Sequence, residues 1–150
     1  MELNGSPVPE VKTGSYLSLV RDWKNGDTFS INLDMSFHYW VGARESLGKT
    51  SIYRGPILLA YDPAFDAYEN NTLPEFNARN LGFKFVTSNR PIQPWMLIRV
   101  KGINGAEVTL CDFVSGGAYG NPYKTWLKIA NVEAVRFSKE KPIWTNRPSQ

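Results

Sequence analysis

Hydrophobic and polar positions alternate with a period of two along much of the chain. Tyr16, Ser18 and Val20 alternate with Leu17, Leu19 and Arg21. Further on, Phe29, Ile31, Leu33 and Met35 alternate with Ser30, Asn32 and Asp34. Such a period is the mark of a strand with one face turned to a core. Between the two stretches lies Asn25-Gly26, a dipeptide that meets the positive φ of tight hairpin turns at low steric cost. The pattern therefore predicts a hairpin, with Trp23 at the edge of its loop. A second is predicted around Asn104-Gly105, joining Trp95–Lys101 to Glu107–Phe113. Lys49–Tyr61 reads as one further strand, which Gly55-Pro56 allows to bend or bulge. Its second half, Ile57–Ala60, is apolar on both faces and should be buried on both. Trp126–Ala130 and Val132–Ser138 read as the last strands.

No stretch holds a period of 3.6 over three turns. Pro63–Asn80 is a long polar excursion with room for one helical turn near Glu75–Arg79. Val114–Tyr123 is a second long loop, rich in glycine. Short strands joined by turns, without helices, predict an all-β fold, an antiparallel β-sandwich or jelly-roll-like architecture. One such domain is expected over residues 1–138, with 139–150 as a charged surface tail.

Composition narrows the function classes. The chain has 150 residues, 42% of them apolar and 13% aromatic, enough for a core and too ordered in pattern for a disordered tail. A net charge of +3 is too mild to imply nucleic acid or a membrane surface as partner. No run approaches the ~18 apolar residues of a membrane span. Met1–Asn4 lacks the basic start and apolar run of a signal peptide, and the compartment stays open. A single cysteine, Cys111, and a single histidine, His38, exclude an internal disulfide and a zinc site of paired Cys and His ligands within this chain. No cofactor is implied.

Each candidate for chemistry has a plainer alternative. His38 with Cys111 would form a nucleophile–base pair, but Cys111 lies in a strand read as core, where a thiol acts as a small apolar group. Asp62, Asp66, Glu69 and Glu75 crowd the long excursion, and Asp112 ends a strand. A glycosidase pair could come from these, yet turn-capping carboxylates explain them as well. Asn70-Asn71-Thr72 matches a glycosylation sequon, a short pattern common by chance. The dispersed basic residues, Arg90 and Arg99 among them, read as an ordinary solvated surface. Of the five tryptophans, Trp40 and Trp95 fall in strand context and are expected in the core. Trp23, Tyr119 and Tyr123 fall in turns or loops. With Asn121 and Trp126 they form the candidate set for stacking on a sugar or docking against another domain.

Three blocks in order carry a resemblance. They are Leu3-Asn4-Gly5-Ser6-Pro7-Val8, Gly14-Ser15-Tyr16-Leu17-Ser18-Leu19 and Arg21-Asp22-Trp23-Lys24-Asn25-Gly26-Asp27 with the alternating stretch after it, then Tyr53-Arg54-Gly55-Pro56-Ile57-Leu58-Leu59-Ala60, and Asp112-Phe113 through Gly116-Gly117-Ala118-Tyr119-Gly120-Asn121-Pro122-Tyr123 to Trp126-Leu127. The set resembles the β-sandwich region that follows the catalytic barrel in glycoside hydrolase family 127, which includes bacterial β-L-arabinofuranosidases. The resemblance covers most of residues 1–135. It implies a catalytic (α/α)6 barrel, N-terminal to this region, as the partner. In that family a zinc-bound cysteine with further Cys and Glu ligands carries the chemistry. One cysteine cannot supply that set, so no catalytic or metal residue is carried over. Met1 directly before the first strand suits a domain boundary. The expected role is a non-catalytic accessory domain that supports the barrel, with contact to an arabinose-containing glycan as an added option. A free-standing carbohydrate-binding module and a small hydrolase in its own right are the alternatives.

Overall fold

The computed structural model describes residues 1–12, 14–69 and 71–132. The chain divides into two compact units, Met1–Asp34 and Met35–Gln150. The expected tail at 139–150, Trp144 within it, and residues 133–138 of the strand expected over Val132–Ser138 lie outside the described residues.

The first unit is a small antiparallel sheet of β1 (Glu2–Leu3), β2 (Ser6–Pro7) and β3 (Phe29–Ser30), in the order β2-β1-β3. Asn4 and Gly5 both take positive φ, 51° and 76°. Leu3 faces Ser6 across this two-residue loop, the geometry of a type I′ hairpin. Asn4 also selects the third strand. Its backbone N–H donates to Thr28 O at 2.9 Å, its side-chain oxygen accepts the Thr28 N–H at 2.8 Å, and its Nδ2 donates to Asp27 at 2.7 Å.

The hairpin expected between 16–21 and 29–35 does not form a ladder. Phe29–Ser30 pairs with Glu2–Leu3 instead, and the stretch Tyr16–Arg21 is in no strand. Alternation states which residues share a face, not which strand they pair with. The turn itself is present, closed by the Asp27 N–H on Lys24 O at 3.1 Å, but only Gly26 has positive φ there, so it is not type I′. The Asp27 carboxylate accepts the Lys24 N–H and the Asn4 amide and pairs with Arg21 at 3.1 Å, which together hold its pKa below the usual range.

The second unit is built on a six-stranded antiparallel sheet. Its strands are β4 (Phe37–Val41), β5 (Thr50–Arg54), β6 (Ile57–Tyr61), β8 (Phe83–Phe85), β9 (Leu97–Lys101) and β10 (Glu107–Asp112), in the order β4-β5-β6-β10-β9-β8. A parallel pair, β7 (Phe76–Asn77) with β11 (Ile129–Ala130), forms a small second sheet. The described residues include no α-helix, only three single-turn 3-10 segments. One of these, Ala78–Asn80, supplies the helical turn expected in the long excursion. The fold is all-β, as the periodicity predicts.

The predicted strand Lys49–Tyr61 is two strands. Tyr53 faces Leu58 and Arg54 faces Ile57, so Gly55-Pro56 is the two-residue loop of a hairpin rather than a bend. Gly55 has φ of 56° at the first central position, as a type II′ turn requires, and proline suits the negative φ that follows. The expected β9–β10 hairpin is present, with Lys101 opposite Glu107.

The core matches the alternation where both faces are occupied. Ile52, Leu59, Tyr61, Ile98, Val100, Val108 and Leu110 lie on one side of the sheet, and Phe76, Ala78 and Leu127 pack against them. Ala60, Leu97 and Cys111 form a smaller cluster with Phe65 and Val86. Both faces of Ile57–Ala60 thus find apolar partners. The two edge strands meet through side chains. The Phe37 and Phe83 rings sit edge-on at 4.9 Å, and the Arg54 guanidinium lies over Phe83 and Phe85 at 5.1 and 4.7 Å. Aromatic and cation–π contacts here cover edges that backbone pairing leaves open.

Trp95 corrects a sequence expectation. It stands just before β9 with 73% of its surface exposed and is not core, whereas Trp40 on β4 is half-buried. The core begins one residue later, at Met96, whose N–H is drawn inward by Asp112.

Candidate functional site

The chain leaves β10 through a segment that carries four of the five candidate residues. Two buried carboxylates at the ends of neighbouring strands anchor it. Asp112 accepts the Ser115 N–H at 3.0 Å and the Ser115 hydroxyl at 2.9 Å, and its other oxygen accepts the Met96 N–H at 3.0 Å. Asp62, fully buried after β6, accepts the Ala64 N–H and the Gly117 N–H, each at 2.8 Å. Both acids are therefore occupied in holding backbone, as capping carboxylates are. Cys111, one residue before Asp112 on β10, donates weakly to Ala60 O at 3.5 Å. Burial, with Asp62 and Asp112 nearby, pushes its thiol up to about 12.

Beyond Asp112 the loop turns back on itself. Gly117 has φ of 80°, and a Cβ there would meet the Tyr123 ring at 3.0 Å, so the ring lies flat on glycine backbone. Phe113 meets the same ring edge-on at 5.7 Å. Tyr123 keeps 41% of its surface exposed, and Asn121 is half-buried. Trp126, 37% exposed, is held between two anchors, Lys124 bridged to Tyr61 and Leu127 bridged to Thr50.

Tyr119 is used differently. Its hydroxyl accepts the Ile92 N–H at 2.7 Å and donates to the Ile92 carbonyl at 3.1 Å. Phe65 meets its ring edge-on at 6.0 Å and the Arg90 guanidinium lies over it at 5.4 Å. Tyr119 thus clamps the loop before β9. Tyr119→Phe should lower stability by about 1 kcal/mol, the net worth of such bonds at a half-exposed site. A urea titration checks this, and an unchanged midpoint would show that the clamp contributes nothing. Trp23 belongs to the first unit, 54% exposed, with Arg21 over its ring at 5.1 Å.

The residues that could have made a hydrolase do not converge. His38, on β4, stacks on Tyr53 at 5.0 Å, and β5 and β6 separate its strand from that of Cys111. Among the described residues no group of three or more His, Cys, Asp or Glu side chains could hold a metal ion.

A groove that the sequence reading did not single out lies in the second unit. It has a volume of about 420 Å³, and Phe65, Ser88, Asn89, Arg90, Arg99 and Thr109 are among its lining residues. Its residues come from the excursion after β6, the loop before β9 and the β9–β10 ladder. Only the sequence Asn89-Arg90-Pro91, a proline-stiffened turn with a cation, marks any of it in the chain.

No family model and no curated protein sequence matches this chain. A solved GH127 β-arabinofuranosidase shares its fold. The TM-score is 0.60 at 21% identity, over 85% of this chain and 22% of the other. The chain thus spans about a fifth of the length of the GH127 structure. At that identity the likeness concerns fold.

Proposed function

We propose that the chain is a non-catalytic accessory β-sandwich domain of a bacterial glycoside hydrolase of the β-L-arabinofuranosidase type. Its partner is the catalytic (α/α)6 barrel of that enzyme. The observation that carries this reading is the partial likeness: most of this chain corresponds in fold to a small part of a GH127 β-arabinofuranosidase. The interior supports it, since the buried acids cap backbone and the thiol is enclosed. Trp23, Tyr119, Asn121, Tyr123 and Trp126 are the residues offered to the barrel or to an arabinose-containing glycan. Neither nucleic acid nor a membrane is a partner in this reading.

The chain alone is expected to release no nitrophenol from 4-nitrophenyl β-L-arabinofuranoside and to give no sub-millimolar binding on an array of arabinose-containing oligosaccharides. Turnover that survives rigorous purification would overturn the non-catalytic role. Sub-millimolar binding lost in Tyr123→Ala or Trp126→Ala would make the chain a carbohydrate-binding module instead.

A further inference from the structure

We propose that the groove of the second unit binds a carboxylate-bearing sugar unit, a uronic acid residue. This extends the carbohydrate reading above to a different ligand and a different surface, because neither Tyr123 nor Trp126 lines the groove. Its volume, about 420 Å³, falls in the range of small-molecule sites, roughly 300–1,000 Å³.

Charge selects the ligand class. Two arginines, Arg90 and Arg99, line the groove, and no aspartate or glutamate does. Among the described residues no carboxylate pairs with Arg90, whose guanidinium rests on the Tyr119 ring with its donors available. Arg99 shares Glu107 with Lys84, at 3.6 and 3.0 Å, and Lys101 also acts on that carboxylate, so cations outnumber it. The nearby Asp66 spends one oxygen on the Thr109 N–H and the other on the Ala67 N–H. An arginine fork matches a carboxylate in two parallel bonds, a geometry that lysine cannot offer.

The other walls suit a sugar. Phe65 offers an apolar surface to ring C–H groups, and Ser88 and Asn89 offer donors and acceptors to hydroxyls. The loop that carries Arg90 is also pre-organised. Ser88 Oγ accepts the Arg90 N–H at 3.0 Å, Gln93 Nε2 donates to the Ser88 and Arg90 carbonyls, and Tyr119 clamps Ile92 in both directions. A loop ordered before binding loses less entropy when a ligand arrives.

The test is calorimetric titration of the full chain with D-glucuronate, D-glucose and acetate, backed by amide chemical-shift mapping. Glucuronate should saturate with a dissociation constant below about 10 mM, with glucose and acetate at least about tenfold weaker. The shifts should centre on residues 86–90 and Thr109. Arg90→Gln and Arg99→Gln should each weaken glucuronate about tenfold or more. Arg90 is exposed and supports no strand, so Arg90→Gln decides the matter even where Arg99→Gln disturbs the ladder. Absence of saturation, equal affinity for glucose, equal affinity for acetate, or full binding retained by Arg90→Gln would each overturn the proposal. None of these outcomes bears on the arabinose array, so the two readings fail separately.

Discussion

Between pH 9 and about 12 the unfolding free energy should fall by on the order of 1 kcal/mol per pH unit through Cys111 alone. The thiol is fully buried in the folded chain and its pKa is pushed from 9.0 to about 12, first by burial and then by Asp62 and Asp112. In the unfolded chain it ionises at its ordinary value. Above pH 9 the unfolded state therefore holds fewer protons than the folded one. The stabilising contribution is complete below pH 9 and is lost as pH rises toward the folded value. Tyr39 and Tyr61 act in the same sense, since burial raises each from 10.0 to about 12. Urea titrations at pH 7, 9, 10 and 11 check this. In Cys111→Ala the loss should begin nearer pH 10, where only the tyrosines remain. Parallel pH profiles for the two proteins would refute the assignment. At pH 8 the native thiol should stay unreactive to an aromatic disulfide reagent and react on unfolding.

Asp112→Ala should destabilise the chain by about 3–5 kcal/mol. The carboxylate is 4% exposed and receives the Met96 N–H, the Ser115 N–H and the Ser115 hydroxyl. Removing it leaves backbone donors on both sides without acceptors, and the Met96 donor is buried where water cannot replace the carboxylate. Asp112→Asn should cost less, because one oxygen remains, but its amide must then face a donor. Ser115→Ala should cost least, since both backbone donors keep their acceptor. The midpoints of urea unfolding should follow that order. Hydrogen exchange at Met96 and Ser115 should accelerate in Asp112→Ala while amides of β5 keep their protection. A loss below about 1 kcal/mol would show that the carboxylate is dispensable to the loop.

The legible and illegible parts of this chain divide along a physical line. The β9–β10 ladder was readable because Ile98, Val100, Val108 and Leu110 alternate across a turn with a recognisable dipeptide. The Ile57–Ala60 run announced burial on both faces, and Leu59 and Ala60 pack into different clusters. The resemblance in Gly55-Pro56 and in the glycine-rich loop also falls on real turns. Partner choice was not readable. The stretch 29–35 alternates as well as any strand here, yet Asn4 holds Asp27 and Thr28, just before β3, through three hydrogen bonds that no periodicity encodes. Trp95 shows the same gap, for its alternation with core positions ends one residue before the inward pull of Asp112 begins.

The candidate site was legible only in part. Tyr119 and Tyr123 stand out in the sequence as aromatics in a glycine-rich loop, Asn121 lies in the same loop, and Trp126 opens a stretch that reads as a strand. That Tyr119 would be turned onto Ile92 and Arg90 depends on a loop 27 residues away in the chain. The groove was invisible because its walls meet only when the excursion after β6 folds beside β9 and β10. By itself the sequence determined the all-β class, the strand periodicity, the hairpin between β9 and β10, and the presence of a single cysteine and a single histidine within this chain. Local backbone preference and side-chain period act within a few residues, so they are written in the chain. The tertiary structure alone decided which strands pair, where the carboxylates spend their bonds and which cations share a groove. Those outcomes depend on contacts between distant residues, and no local pattern records them.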